Sequence, residues 1–171
     1  MPKTLILFQS LADISATIAE GVADGARSVR FSEVEIRLVD EAPSSGSEAS
    51  EEGIQRRAAL MARYQLLADT DELLSYDAII VGASSSGGSM NTQLTRVLAR
   101  AGSLTNKVGA AFSPAGDETR PWALMQAMAG LDMILVPPAH DGSVAAARAL
   151  GKRVAEVTSW ITHARSHHHA H

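Results

Sequence analysis

The segment that most restricts the fold is Ala78-Ile79-Ile80-Val81, four consecutive apolar residues between Asp77 and Gly82. A strand turns successive side chains to opposite faces, so an uninterrupted apolar run has to be buried on both. Such a strand lies inside a sheet covered by helices on each side, and the rest of the chain carries the alternation that arrangement needs. Thr4-Leu5-Ile6-Leu7-Phe8 reads as a second buried strand, followed by a helix whose apolar positions Ile14, Ile18, Val22 and Ala26 recur every four residues. Val34, Ile36 and Leu38 alternate with Glu35 and Arg37, which marks a partly exposed strand nearer a sheet edge. Glu41 to Glu52 is a Ser/Glu/Ala/Gly-rich loop, either a solvated connection or a lid or partner-binding loop. Gln55 to Leu67 reads as a helix, and Asp69 to Leu74 as a short helix capped by Asp69 or Thr70.

Beyond the central strand, a helix is expected from about Asn91 to Ala101, stopping at Gly102 in a left-handed cap. Lys107 to Phe112 forms a further strand, Trp122 to Ala129 a helix ending at Gly130, Met133 to Val136 a fifth strand, and Ser143 to Trp160 a final amphipathic helix. Five strands alternating with helices predict an α/β three-layer sandwich around a five-stranded parallel sheet. Ligands of such folds sit at the carboxyl ends of the strands, where the strand order reverses.

Composition narrows the chemistry. The chain has 171 residues, a length suited to one domain, and no cysteine, which removes disulfides, thiolate metal sites and a cysteine nucleophile. A formal net charge of -4 without a Lys/Arg run argues against nucleic acid or an anionic membrane as partner. No apolar stretch approaches the roughly 20 residues of a membrane span, and the expectation is a cytoplasmic protein. Four of the six histidines fall in His167-His168-His169-Ala170-His171. The stretch 163–171 is expected to be a disordered tail, an affinity-tag remnant or a native His-rich end, after a single domain over 1–162. His140 and His163 remain as internal candidates; His140-Asp141 is either an acid pair facing substrate or a turn before a helix capped by Asp141 or Ser143. Trp122 and Trp160 fall on apolar helix positions and read as core or interface.

Function is therefore sought in three strand-to-helix loops. In the first, the hydroxyls of Ser10, Ser15 and Thr17 lie beside a helix N-terminus and suit an anionic phosphate, while Asp13 is either an N-cap or a carboxylate facing that anion. The second, Ala83-Ser84-Ser85-Ser86-Gly87-Gly88, is small and permissive enough for backbone amides to approach a planar ligand, or is a plain flexible connection. The third is the turn Ser113-Pro114-Ala115-Gly116.

Taken together, these segments resemble the flavodoxin-like superfamily, and within it the FMN-dependent NAD(P)H:quinone oxidoreductases of the tryptophan-repressor-binding-protein type. The resemblance rests on Asp71-Glu72-Leu73, on Tyr76 to Gly82, and on Gly88-Ser89-Met90-Asn91-Thr92-Gln93-Leu94. It extends through Phe112-Ser113, Met133 to Pro137 and the helix Ala145 to Glu156. It implies a flavodoxin-like sandwich that holds the FMN phosphate over the first loop and the flavin ring between the second and third. NAD(P)H would be co-substrate, a small-molecule electron acceptor the partner, and the chain a dimer or tetramer. The sequence departs from the family at Asp13, which replaces a glycine, and at Ser84 to Gly87, which replace a Pro-Thr-Arg-Phe-like run. An insertion before the last helix is shortened to Pro137 to Gly142. The alternative is a flavodoxin-like domain that has lost FMN and serves as a structural or protein-interaction subunit.

Overall fold

The computed structural model describes residues 1–10, 16–40, 50–83, 88–113, 120–138 and 142–168, the side chains of 88–92 and 120 aside. Its elements are β1 (Lys3–Gln9), α1 (Ala16–Arg27), β2 (Glu33–Val39), α2 (Glu51–Arg63), β3 (Gln65–Leu66), a 3-10 helix (Thr70–Ser75) and β4 (Ala78–Gly82). They continue with α3 (Gly88–Arg100), β5 (Val108–Phe112), α4 (Arg120–Gly130), β6 (Ile134–Leu135) and α5 (Val144–His168). The strands form one sheet in the order β3-β2-β1-β4-β5-β6, with every pairing parallel.

All five residues of β4 are buried, as the uninterrupted apolar run requires. Alternate strand residues feed two cores. Ile6, Phe8, Ile36, Leu38, Ile80 and Ala110 pack with Ala19, Val22 and Ala23 of α1 and Ala147, Leu150 and Val154 of α5. Leu5, Leu7, Ile79, Val81 and Ala111 face the other way, onto Leu94 and Leu98 of α3 and Leu124, Met125 and Met128 of α4. That division is the expected three-layer sandwich.

The sheet has six strands rather than five. The expected helix over 55–67 runs from Glu51 and stops at Arg63, because Tyr64 turns extended (φ -120°, ψ 149°), and Gln65–Leu66 then pair with Arg37 and Leu38 at the edge. Ser50 caps α2 by accepting from the Gly53 amide, so the loop expected to reach Glu52 gives way to helix at Glu51. Asp69, not Thr70, caps the 3-10 helix, accepting from the Asp71 amide. Gly102 takes φ +90°, the left-handed geometry expected after α3, and α3 itself starts at Gly88 instead of Asn91.

At the C-terminus, α5 continues eight residues past Trp160, through His168, into the stretch expected to be a tail. Ser143 is its cap, accepting from the Ala146 amide at 3.1 Å, whereas His140 and Asp141 lie outside the described residues. Trp122 and Trp160 are not core: they are 51% and 58% exposed, and the Arg153 guanidinium lies 5.2 Å from the Trp160 ring.

Candidate functional site

The chain leaves β1 for β2 on one side and later returns to β4 on the other, so the order reverses between β1 and β4. Their carboxyl ends, with that of β5, open side by side, and the three loops chosen from sequence leave from them.

At the end of β1, Ser10 is fully buried and both of its donors are engaged. Its amide donates to the Val39 carbonyl at 3.0 Å, and its hydroxyl donates to the Asp40 carboxylate. Asp40 is in turn held by Arg57 of α2 through two parallel bonds, Nε to Oδ1 at 2.8 Å and Nη2 to Oδ2 at 2.6 Å. The Arg57 guanidinium, helped by the Ser10 hydroxyl and opposed by burial, holds the Asp40 carboxyl below the ordinary carboxylate range. Thr17, expected beside Ser10, is exposed on the first turn of α1; Asp13 and Ser15 lie outside the described residues.

The adjoining strand ends are closed by small residues. Ala83 is fully buried, and its amide donates to the Phe112 carbonyl at 2.7 Å, which fastens the exit of β4 to that of β5. Ser113 is half-buried just beyond Phe112, and Gly88 is the first residue of α3; Ser84 to Gly87 and Pro114 to Gly116 lie outside the described residues. Gln9, almost fully buried, donates its side-chain amide to the Gln93 side chain and so links the end of β1 to α3. Beside this junction, Val39, Asp40, Leu67, Thr70 and Val97 line a cleft of about 320 Å³.

Gln9, Asp40 and Arg57 were not singled out from sequence. Pairing β1 with β2 in register would have found Asp40, since Gln9 faces Val39 and the next residues on each strand are Ser10 and Asp40. Among the described residues there is no group of three or more His, Cys, Asp or Glu side chains able to hold a metal, and no helix long and apolar enough to cross a membrane.

A parallel sheet wrapped by helices on both faces, with the carboxyl ends of β1, β4 and β5 side by side where the strand order reverses, defines a flavodoxin-like α/β protein. A solved flavodoxin-like domain from Synechococcus sp. superposes with a TM-score of 0.53 at 18% identity, covering 94% of this chain and 99% of its own. No family model matches the sequence. Among curated relatives, the NAD(P)H dehydrogenase (quinone) of Rhodopseudomonas palustris strain BisA53 is 32% identical over 148 residues, 80% of this chain and 70% of its own. The protein of the same name from Azorhizobium caulinodans is 29% identical over 164 residues, covering 88% of this chain and 79% of its own. The chain belongs to the flavodoxin-like NAD(P)H dehydrogenase (quinone) family.

Proposed function

We propose that the chain binds FMN at the carboxyl ends of β1, β4 and β5 and uses it for NAD(P)H-dependent reduction of quinones or similar small acceptors. The observation that carries this reading is the convergence of those three strand ends at the reversal point, in a chain of this family. When bound, FMN supplies the two-electron transfer. The chain's own task is to place and tune it.

At the ring end, Ala83 and Ser113 present little side-chain bulk, and the Ala83–Phe112 bond fixes the spacing of the two strand exits. That geometry suits a flat ligand lodged between the two loops. At the phosphate end the fit is less direct, because the Ser10 hydroxyl is already donated to Asp40 and Arg57 keeps Asp40 ionised. The phosphate is then left to the amino end of α1, where helix geometry favours an anion. The small-molecule acceptor and association into dimers or tetramers belong to the same proposal.

The Ser10–Asp40 bond also favours a second reading, a flavodoxin-like subunit without FMN that works through protein contacts. Quenching of flavin fluorescence on titration with protein separates the two, with FMN and riboflavin run in parallel. Saturable quenching of FMN at about micromolar protein supports the oxidoreductase, and NAD(P)H-driven reduction of a quinone by the loaded protein completes the test. Absence of quenching of either flavin at tens of micromolar, about 100 times beyond a sub-micromolar site, refutes it.

A further inference from the structure

The last turns of α5 carry a pair of side chains that the proposed redox reaction does not use. His163 and His167 lie one helical turn apart, with their Nε2 atoms hydrogen-bonded to one another at 3.1 Å, the donor set by the tautomer, and their rings at 76° with centroids 4.4 Å apart. Both are exposed. We propose that they form a two-imidazole site for a borderline divalent transition-metal ion, of the Cu²⁺, Ni²⁺ or Zn²⁺ class.

Metal binding would release the proton that the two nitrogens share and leave both lone pairs at the separation a cis ligand pair requires. Imidazole nitrogens bind these ions at about 2.0–2.1 Å, so two of them 3.1 Å apart subtend about 100° at the metal. That angle falls between the right angle of a square-planar or octahedral site and the wider angle of a tetrahedral one, so each ion of the class fits with minor ring adjustment. Nitrogen donors suit these ions better than Mg²⁺ or Ca²⁺, which take oxygen. Because both rings are exposed, water completes the coordination. Among the described residues no third His, Cys, Asp or Glu joins the pair, so this is a bidentate site.

The helix that sets the spacing is anchored here. Arg165 donates to the Asn106 carbonyl at 2.7 Å, Ser166 to the His163 carbonyl at 2.7 Å, and Thr162 to the Thr158 carbonyl at 2.9 Å. The Arg165 bond ties the His163 turn to the segment entering β5, so that turn does not rely on local helix propensity alone. His163 also borders a cleft with Met1 and Asp77 at the amino ends of β1 and β4. The pair therefore lies at the opposite end of the sheet from the proposed flavin loops, and the inference does not depend on that reading.

Titration of the full chain with Ni²⁺ by calorimetry tests the site, with three variants chosen to separate the pair from the neighbouring histidines. His163→Ala removes one ligand and is expected to weaken Ni²⁺ binding about tenfold or more, at least the loss an outer-shell partner carries in metal sites. Arg165→Pro keeps all six histidines but breaks the turn between the two ligands, and should weaken binding to the same extent. His168→Ala, outside the pair, should leave affinity within about twofold of the parent. Parent-like Ni²⁺ affinity in either His163→Ala or Arg165→Pro would place the ion on the terminal histidine run and overturn the proposal. Failure of the unmodified chain to bind Ni²⁺ at about millimolar concentration would overturn it too.

Discussion

The α1–α5 crossing offers the sharpest test of how the fold holds its candidate site. Gly25 of α1 and Gly151 of α5 let the two backbones meet directly. A Cβ on Gly151 would lie 1.9 Å from the Val22 carbonyl oxygen and 2.8 Å from its carbon, and one on Gly25 would lie 1.9 Å from the Arg148 carbonyl oxygen. Real Cβ contacts do not fall below 3.0 Å, so Gly151→Ala requires the helices to separate by about 1 Å, with backbone rather than a flexible side chain in the way. A gap of that size forfeits about a quarter to a half of each dispersion contact between Ala19, Val22, Ala23 and their neighbours on α5. Overpacking of this kind costs about 1–3 kcal/mol and sometimes more, and the better helix propensity of alanine returns only about 1 kcal/mol. Because the obstruction is main chain, the net cost should lie near the upper end, about 2–3 kcal/mol, or a fall in Tm of about 5–10 °C for a chain of this length. The same separation shifts the amino end of α1, so flavin affinity should fall with stability. Two other glycines calibrate the series. At Gly109 the obstacles are Met128 Sδ at 2.9 Å and Met133 Cε at 3.0 Å, ends of adaptable side chains, and at Gly130 nothing lies within 4 Å. Gly109→Ala should therefore cost under about 1 kcal/mol, and Gly130→Ala should be neutral or stabilising by about 0.5 kcal/mol. Urea unfolding of the four variants checks the order. Gly151→Ala and Gly25→Ala within 1 kcal/mol of the parent would refute the reasoning, since the packing argument leaves no cheap way to place the methyl group.

Three further outcomes follow from the charges and rings. The chain has only two tyrosines; burial, then hydrogen bonding to Glu20, pushes Tyr64 up to about 12, and burial with the Glu35 hydrogen bond raises Tyr76 as well. The folded state thus favours neutral phenols: their contribution to stability is complete below pH 10 and is lost as pH rises from 10 towards 12, and native protein at pH 10 should show almost no tyrosinate absorbance. A tyrosinate band of half the unfolded intensity at that pH would contradict the burial of both rings. Asp40→Ala removes the acceptor that claims the Ser10 hydroxyl and frees Arg57, so FMN should bind several-fold more tightly while riboflavin, which lacks the phosphate, is unchanged. Equal effects on the two flavins would show that Asp40 does not act on the phosphate. Trp122 and Trp160 are both more than half exposed, so the isolated chain should emit as solvated indole; a blue-shifted emission that reverts on dilution would locate self-association on α4 and α5.

The parts of the fold that were legible in the sequence are those where one local signal dominates. The run at 78–81 required burial on both faces, and the four-residue spacing of Ile18, Val22 and Ala26 gave α1 its packing side. Leu60 and Met61 of α2 extend an apolar helical pattern towards Tyr64, so nothing local announces that the chain turns extended there, or that Gln65–Leu66 add an edge strand with only two residues. That strand exists because the exposed flank of β2 has free backbone groups to satisfy. At the other end, Ser and His composition hid the continuation of α5. The reach of Arg165 to the Asn106 carbonyl ties those last turns to the segment entering β5, and that is not a feature of composition.

The candidate site was legible as a place and less so as chemistry, and Ser10 shows why. A hydroxyl after a buried strand and before a helix is a sound phosphate donor when nothing else competes for it. Competition comes from Asp40, thirty residues away, which stands beside Ser10 because β1 and β2 pair in parallel register up to Gln9 and Val39. Arg57 then keeps Asp40 charged, so the hydroxyl remains donated inward. Asp13 is the carboxylate nearest to Ser10 in the following loop, three residues on; parallel pairing makes Asp40 the carboxylate bonded to it in space. Under the proposed FMN reading, the phosphate end is tuned from β2 and α2 as much as from its own loop. Substitutions at Asp40 and Arg57 should accordingly alter discrimination between FMN and riboflavin while leaving the ring-facing strand ends at Ala83 and Phe112 untouched.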